Sequence, residues 1–422
     1  MLKIAFLLVG PSVFRPCWHL VCLLGALVVV TAALVASDAL DGESRVSHVL
    51  FGSLFLGIAF FHTIAAAVAG AADRRERVQR LVRLALPLTV AGLLLAPPEL
   101  AGDRIASLIL AAALLIDGTI RFGIAVVVHI PHWRRSASIA LAQLAGAVGL
   151  IAEWPLNSAG NVTLALAVSL FLAGRTLFLL GWHLRDLPED RSLLRSPLYS
   201  NRNWNDHAPS LVGYDAPRRR EEPPLILYNW TPHEAPNVSM RLPVIGRYFA
   251  VPDDDGGIAS GHVSLALGDD LYVSYYPDDE IERSSTNFIG TMSGEPSHDM
   301  VGQFIPSFPY EIENWRPPTR WFRLRRFSER RLRAYWDSFR RDDTYNLVNR
   351  NCAVAVGPAL EAAMEGVWAG PRPWLRVARL MLDPGLWLAA LIRGRIDFLT
   401  WTPGMVVDYV LELNREIGRA HV

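Results

Sequence analysis

The sequence predicts a two-part protein, an α-helical membrane bundle followed by an α+β domain with an antiparallel sheet. The first observation is an uneven distribution of apolar residues: 51% of the 422 residues are hydrophobic, and nearly all long apolar runs precede residue 185. The second is a period-two alternation in two short segments of the other half, which is typical of a β-hairpin. We therefore expect a membrane domain at 1–185, a linker at 186–223 and a second domain at 224–422.

The first half contains six apolar runs close to the roughly 20 residues that a helix needs to cross a bilayer. We place these predicted spans at residues 17–37, 46–70, 81–97, 104–128, 136–155 and 161–183. Arginines concentrate in alternate connections, at residues 73–83 and 132–135 and again after residue 185. By the positive-inside rule, the N-terminus, these connections and everything after the last span are cytoplasmic. We expect a multi-pass protein of a bacterial inner membrane.

The spans also repeat. The tetrapeptides FHTI, DGTI and AGRT are spaced 56 residues apart, each in the second span of a two-span unit, which predicts three similar hairpins. Inside the spans, Asp117 and Arg121 can pair on one helical face, and His62 and Arg175 occupy neighbouring repeat positions. The functional alternative is a polar pathway. We favour a static ion-paired network, because one Asp faces several cations and no proton-relay chain is visible.

Charge and cysteine content exclude several classes of protein. The formal net charge is zero, so we expect no nucleic-acid partner. Three cysteines without a paired spacing argue against a disulfide framework and a structural zinc site, and the chain has no nucleotide motif. We therefore expect no metal and no cofactor, and we leave open whether the chain forms a homo-oligomer.

The membrane half resembles the HdeD family of small bacterial inner-membrane proteins. The similarity covers roughly residues 15–185 and is strongest in LLIDGTIRFGIAVVV and the loop that follows it. The resemblance implies a six-span bundle linked to acid or stress tolerance. The long extension after residue 185 departs from that family.

The second domain contains one cysteine, Cys352, in the segment YNLVNRNCAVAV. Apolar residues follow it at helical spacing, so we expect Cys352 at or just before a helix N-terminus. Amides without helical partners and the helix dipole stabilise a thiolate at such a position, and the amides can also hold an oxyanion. A small buried structural cysteine is the alternative.

The predicted hairpin consists of GHVSLAL, the turn GDD and LYVSYYP. We expect Leu267 to pair with Leu271. On that register, one face of the hairpin carries the residues His262, Ser264, Tyr272, Ser274 and Tyr276. A thiol needs a nearby base to become a thiolate at neutral pH, and a histidine on this face can serve as that base.

The hairpin, the later cysteine segment and the closing TWTPGMVVDYV resemble the permuted papain-like superfamily, which includes NlpC-like amidases and the lecithin retinol acyltransferase group. The resemblance covers about residues 224–368 and the TWTP segment. It implies Cys352 as the nucleophile, His262 as the base and Ser274 at the third polar position. Serine is a departure there, because relatives commonly have His, Asn, Gln or an acid.

An apolar segment at residues 371–399 is inserted between the cysteine helix and TWTP, and it is too short for another span. One interpretation places it on the inner membrane face, with Trp374, Leu382, Leu386 and Trp387 as anchors. A buried helical hairpin that covers the core is the alternative.

These patterns together predict a membrane-anchored cytoplasmic thiol hydrolase that acts on an amide or ester of a protein, peptide or lipid. Two alternatives stay open. One is a non-catalytic stress-response membrane protein whose second domain binds a partner, and the other is an acyltransferase that acts on lipid.

Overall fold

The computed structural model describes residues 1–40, 102–197, 202–215, 221–231, 261–279 and 292–413, together with short pieces between these ranges. The described chain divides into two compact units. The helical unit comprises Trp18–Phe122 and Arg135–Trp182. The mixed unit comprises Met1–Cys17, Gly123–Arg134 and His183–Val422.

Four helices within the described ranges are long and apolar enough to cross a membrane, which indicates a membrane protein. They are α3 (Trp18–Leu40), α4 (Gly102–Val128), α5 (Trp133–Ala152) and α6 (Ser158–Arg185). Each matches one of the predicted spans. The other two predicted spans, at 46–70 and 81–97, lie outside the described residues.

Small residues allow close contact between helices of the helical unit, as lipid-embedded packing requires. A Cβ atom on Gly25 of α3 would lie 2.4 Å from the backbone nitrogen of Phe178 in α6. A Cβ atom on Gly174 would lie 2.9 Å from the carbonyl oxygen of Gly25. A larger side chain at either glycine would therefore force the two helices apart.

The predicted pair of Asp117 and Arg121 is present on α4, with 3.8 Å between Arg121 Nη2 and Asp117 Oδ2. Gln143 of α5 donates a hydrogen bond of 2.8 Å to the same carboxylate oxygen. These contacts tie α4 to α5, as expected for a static polar network. His62, the repeat-related position, lies outside the described residues.

The mixed unit contains two antiparallel sheets and a two-stranded ribbon. The four-stranded sheet has the order β5-β4-β1-β8 and the three-stranded sheet has the order β6-β7-β9. The strands are β1 (Leu225–Trp230), β2 (Val251–Pro252), β3 (Ile258–Ala259), β4 (His262–Leu267), β5 (Leu271–Val273), β6 (Tyr275–Pro277), β7 (Met300–Phe304), β8 (Arg320–Leu324) and β9 (Thr344–Tyr345). The antiparallel α+β architecture predicted for this half is present.

Helices surround these sheets. They are α1 (Leu2–Val9), α2 (Pro11–Phe14), α7 (Phe308–Asn314), α8 (Glu329–Phe339), α9 (Cys352–Met364), α10 (Pro373–Met381), α11 (Pro384–Ile396) and α12 (Pro403–Glu412). Every residue of α9 is buried, because it packs against β4, α8 and α12. Ser328 caps α8 by accepting a hydrogen bond from the Arg331 amide.

Helix α1 is an integral part of the mixed unit. Its residues from Ile4 to Val9 are at most 2% exposed. The carbonyl oxygens of Leu7 and Leu8 accept hydrogen bonds of 2.9 and 2.8 Å from the amides of Gly366 and Trp368. The chain therefore begins inside this unit before it continues into α3.

The segment interpreted as a linker is folded where the structure describes it. It forms short 3₁₀ turns at Leu193–Arg195 and Asn203–His207, and it buries Leu193 and Trp204. Glu365 of α9 accepts a hydrogen bond of 2.9 Å from the Leu193 amide. Sequence analysis overlooked this packing because the segment has no periodic apolar pattern, and its few buried side chains are widely spaced.

The apolar insertion at 371–399 forms a helical hairpin of α10 and α11. Among the four predicted membrane anchors, Leu386 is fully buried, so it is not available as an anchor. The other three, Trp374, Leu382 and Trp387, are 40%, 63% and 52% exposed. The hairpin thus covers the core with one face and presents an apolar face to the outside.

Candidate active site

Cys352 is the first residue of α9, as predicted. The cap residue is Asn351, whose side-chain oxygen accepts a hydrogen bond of 2.9 Å from the Val354 amide. The Asn351 amide group also donates to the carbonyl oxygens of Leu347 and Trp401, at 2.8 and 3.3 Å. These bonds fix the loop before the helix, and they hold the Cys352 side chain at a position where it is 8% exposed.

The far part of α9 is held by a buried polar network. Glu361 accepts hydrogen bonds from the hydroxyl groups of Tyr199 and Tyr409, at 3.2 and 3.1 Å, and from Arg393 Nε at 2.8 Å. Burial raises the pKa of Glu361 above its ordinary value, although the Arg393 guanidinium opposes this shift. Because three separate segments converge on one carboxylate, the helix that carries Cys352 has little freedom to move.

His262 lies at the start of β4, and the register predicted for its hairpin is confirmed. Leu267 pairs with Leu271. His262 and Ser274 share a face, since the imidazole Nε2 lies 3.0 Å from Ser274 Oγ. Tyr276 belongs to the same face, because its ring stacks on the imidazole with 4.1 Å between ring centroids.

The structure brings His262 and Cys352 together, although 90 residues separate them in the chain. The Cys352 side chain is close enough to the imidazole to raise the pKa of His262. Nε2 is directed at Ser274 and at a carboxylate described below, so Nδ1 is the ring nitrogen that remains for the sulfur atom. Strand β4 packs directly against α9, and this packing creates the contact.

Glu311 is a site residue that the sequence analysis missed. It lies on α7, where it is 3% exposed, and its Oε1 atom lies 3.0 Å from His262 Nε2. The Ser274 hydroxyl donates to the same carboxylate at 3.2 Å, and the Tyr272 hydroxyl donates to Oε2. Ser274 therefore contacts the imidazole as expected, but the acidic partner of the histidine is Glu311.

A signal for Glu311 was present in the predicted hairpin. Its polar face carries several hydroxyl groups, and buried hydroxyl groups require acceptors. The segment SFPYEIEN also predicts a short helix, because Ser307 can cap it and a proline follows in its first turn. No local pattern shows that this helix packs beneath the hairpin, so the acceptor could not be assigned from the sequence.

The electrostatics favour an imidazolium–carboxylate pair. Burial alone would lower the pKa of His262, but the negative charge of Glu311 and the contact with Cys352 raise it to about 9. The reciprocal attraction lowers the pKa of Glu311 against the effect of its own burial. At neutral pH the imidazole is therefore protonated beside the sulfur atom, which is the arrangement that stabilises a thiolate.

Aromatic rings enclose the histidine. Besides the stacked Tyr276, Trp230 and Trp315 lie with their ring centroids 5.3 and 6.0 Å from the imidazole. The Trp230 indole N–H donates to the Arg316 carbonyl oxygen at 2.8 Å, which fixes this ring. The rings exclude water from the imidazole, and exclusion of water strengthens its interaction with Glu311.

The start of α9 can also bind an oxyanion. The amides of Cys352 and Ala353 belong to the first helical turn, where N–H groups have no partner within the helix. The Val354 amide is already bound to Asn351. A carbonyl carbon attacked by Cys352 would thus place its oxygen near backbone donors.

A metal centre has no support in the described part of the chain, where no group of three or more His, Cys, Asp or Glu residues is arranged to hold a metal ion. The donor set at Cys352 is one sulfur, one imidazole and one carboxylate in series, which is a proton-transfer arrangement.

Comparison of the chain with models of protein families gave no match. Comparison with curated proteins and with solved structures also gave none. The functional interpretation therefore rests on the residues and the geometry of the site itself.

Proposed function

We propose that this chain is a membrane-anchored thiol hydrolase in which Cys352 attacks the carbonyl group of an amide or ester. One observation carries the proposal: the strand of His262 packs against the helix of Cys352, and the His262 imidazole contacts the buried carboxylate of Glu311 at 3.0 Å. This series of a thiol, a base and a group that orients the base is the general arrangement of an activated nucleophile.

The proposed mechanism uses these three groups in order. The proton of the Cys352 thiol resides on His262 before the substrate binds, and the resulting thiolate adds to the carbonyl carbon. The amides at the start of α9 stabilise the oxyanion, and collapse of the intermediate expels an amine or alcohol that takes the proton from His262. Water then adds to the thioester with His262 as the base, which releases the acid and restores the thiol. Glu311 acts through the imidazole and is therefore a positioning residue.

We propose a cytoplasmic location for this site, based on the arginine-rich connections. The composition of the mixed unit supports an even number of crossings between its pieces, because Met1–Cys17, Gly123–Arg134 and His183–Val422 form one compact unit. The Gly294 amide, for example, donates a hydrogen bond of 2.9 Å to the Val128 carbonyl oxygen. A compact unit lies on one side of a bilayer, so the intervening chain crosses an even number of times. Six spans with both termini inside satisfy this condition.

The site elements support the papain-like part of the proposal, since a histidine strand precedes a cysteine helix in the chain. The HdeD-like part rests on the paired apolar helices and the repeated motifs. A cytoplasmic site argues against periplasmic peptidoglycan as the substrate. A protein, a peptide or a membrane lipid is the substrate class that we propose.

An activity-based thiol probe tests the proposal on the full chain in detergent. We expect labelling at Cys352, with no labelling of Cys352→Ala and a strong reduction in His262→Ala. Replacement of His207 by alanine is the matched control, because this partly buried histidine of the same unit contacts Ser338 and Arg350 and lies outside the site. Absence of Cys352 labelling in the folded wild type would support the alternative of a non-catalytic binding protein.

An acyltransferase that acts on lipid is the second candidate, and the exposed apolar face of α10 and α11 favours it. Leu375 and Leu391 on this face are 62% and 65% exposed. Product analysis separates the two candidates. Transfer of an acyl group from phospholipid vesicles supports the acyltransferase, whereas cleavage of members of a peptide library supports the hydrolase.

A further inference from the structure

Helix α10 has two apolar faces, and only one of them packs against the protein. Val377 and Leu380 are buried, at 6% and 2% exposure. Trp374, Leu375 and Leu382 remain 40%, 62% and 63% exposed. Their spacing places these three residues along one stripe of the helix. An apolar stripe of this kind on a water-facing helix marks an interaction surface.

Helix α11 repeats this division. Leu386 and Ala389 are fully buried, whereas Trp387 and Leu391, four residues apart on one face, are 52% and 65% exposed. The Trp387 indole N–H already donates to the Met381 carbonyl oxygen at 2.9 Å. The exposed part of this tryptophan is therefore its apolar ring system.

The charges around these stripes are almost all positive. Residues 371–396 contain five arginines and one acid. Arg376 is held by the carbonyl oxygens of Trp368 and Ala369, and Arg393 is held by Glu361. The other three arginines, Arg372, Arg379 and Arg395, are exposed. Exposed tryptophan and leucine side chains with arginines among them match the interfacial zone of a membrane that contains anionic lipid.

The position of the hairpin in the chain favours a bilayer as the occupant of this surface. The Trp374 ring contacts the Phe14 ring edge-to-face, with 5.2 Å between their centroids. Phe14 lies only four residues before Trp18, the first residue of the membrane-length helix α3. Four residues span at most about 14 Å. The apolar stripe of α10 therefore begins beside a residue, Phe14, that belongs to the apolar candidate span Pro11–Leu40.

We propose that the α10–α11 hairpin docks on the surface of an anionic bilayer, with its exposed leucine and tryptophan side chains in the interfacial zone and its exposed arginines at the lipid phosphates. The proposal concerns the binding of the mixed unit to the lipid surface and is independent of any chemistry at Cys352.

Accessibility of single nitroxide labels tests this docking in the full chain, reconstituted in vesicles that contain phosphatidylglycerol. The background carries Cys17→Ser, Cys22→Ala and Cys352→Ala, and single cysteines replace Leu375 or Leu391. Val212 and Val301 are the matched controls, because they are also exposed apolar residues of the mixed unit, at 63% and 57%.

Oxygen concentrates in lipid, whereas the nickel complex stays in water. We expect the ratio of oxygen collisions to nickel collisions to be several-fold higher for labels at Leu375 and Leu391 than for the control labels. Nickel accessibility equal to that of the controls would overturn the proposal. Protection from both reagents would also overturn it, because it would show that a protein, such as a second copy of the chain, covers the stripe.

The variants Arg379→Glu and Arg395→Glu test the role of charge. Arg341→Glu is the matched control, because Arg341 is an exposed arginine just after the C-terminal end of α8. In anionic vesicles, we expect the first two variants to move the labels towards water. We expect vesicles of phosphatidylcholine alone to cause the same movement in the hairpin that keeps its arginines. Label depths that stay the same in both experiments would refute recognition of anionic lipid.

Discussion

Replacement of Glu311 by glutamine removes the negative charge of the site and retains the shape of the side chain. The Glu311 carboxylate lies 3.0 Å from His262 Nε2, and both side chains are 2% exposed. The imidazole pKa of about 9, against an ordinary value of 6.5, corresponds to a net stabilisation of the imidazolium by about 3 kcal/mol. Since Glu311 is the largest of the groups that raise this pKa and burial opposes them, the pKa of His262 in the variant should fall towards its ordinary value.

The change in the imidazolium population follows from these values. At pH 8 a group with a pKa of about 9 is about 90% protonated, whereas a group with a pKa of 6.5 is about 3% protonated. A full return to the ordinary pKa would therefore lower the imidazolium population by about 30-fold at this pH. The Cys352 thiolate then lacks its counter-ion, and a neutral alkylating reagent should react more slowly at neutral pH.

The assay measures the rate of Cys352 alkylation by iodoacetamide from pH 5 to pH 10, with the modified peptide quantified by mass spectrometry. We expect the half-maximal rate of Glu311→Gln to occur at a higher pH than in the wild type, by about one unit or more. Glu313→Gln is the matched control, because Glu313 is exposed on the same helix. Identical pH profiles of wild type and folded Glu311→Gln would refute the role assigned to this carboxylate.

Three further outcomes follow from the structure. Ser274→Ala should lower the alkylation rate less than Glu311→Gln does, because the serine supports the imidazole without charge; an equal loss would contradict this order. Gly357→Ala should reduce the free energy of unfolding by about 1–3 kcal/mol, since its Cβ atom would lie 2.5 Å from the buried Trp401 ring, whereas Gly394→Ala, with no atom within 4 Å, should not destabilise the protein in denaturant titrations. The folded-state pKa of His262 is raised, so the stability that this residue contributes is fully present below about pH 6.5 and is lost as the pH rises through about 9. The melting temperature of the wild type should therefore fall over this interval more steeply than that of Glu311→Gln.

The parts of the fold that could be predicted depend on local signals. The β4–β5 hairpin follows from alternation on both sides of a short turn, and its register follows from pairing Leu267 with Leu271. The start of α9 at Cys352 follows from apolar residues at helical spacing. Both patterns lie within about a dozen residues of sequence, so neither requires knowledge of the tertiary structure.

The parts that could not be predicted depend on contacts between distant segments. Glu311 reaches the site because α7 packs beneath the hairpin, and no period in the sequence encodes that packing. The folded segment after residue 185 is similar, since the single carboxylate of Glu365 accepts a hydrogen bond from the Leu193 amide. Local sequence patterns therefore predict the strand of His262 and the helix of Cys352, whereas the carboxylate beside His262 comes from tertiary packing.

The burial of α1 sets an order of assembly for this protein. Its carbonyl oxygens at Leu7 and Leu8 bind amides at Gly366 and Trp368, which the ribosome adds more than 350 residues later. During that interval α1 contacts only α2, through the stacked rings of Phe6 and Phe14, while the four described membrane-length helices are synthesised. Completion of the mixed unit should therefore wait until these helices have been made, so that a chain arrested before residue 366 would leave α1 without the backbone hydrogen bonds from Gly366 and Trp368.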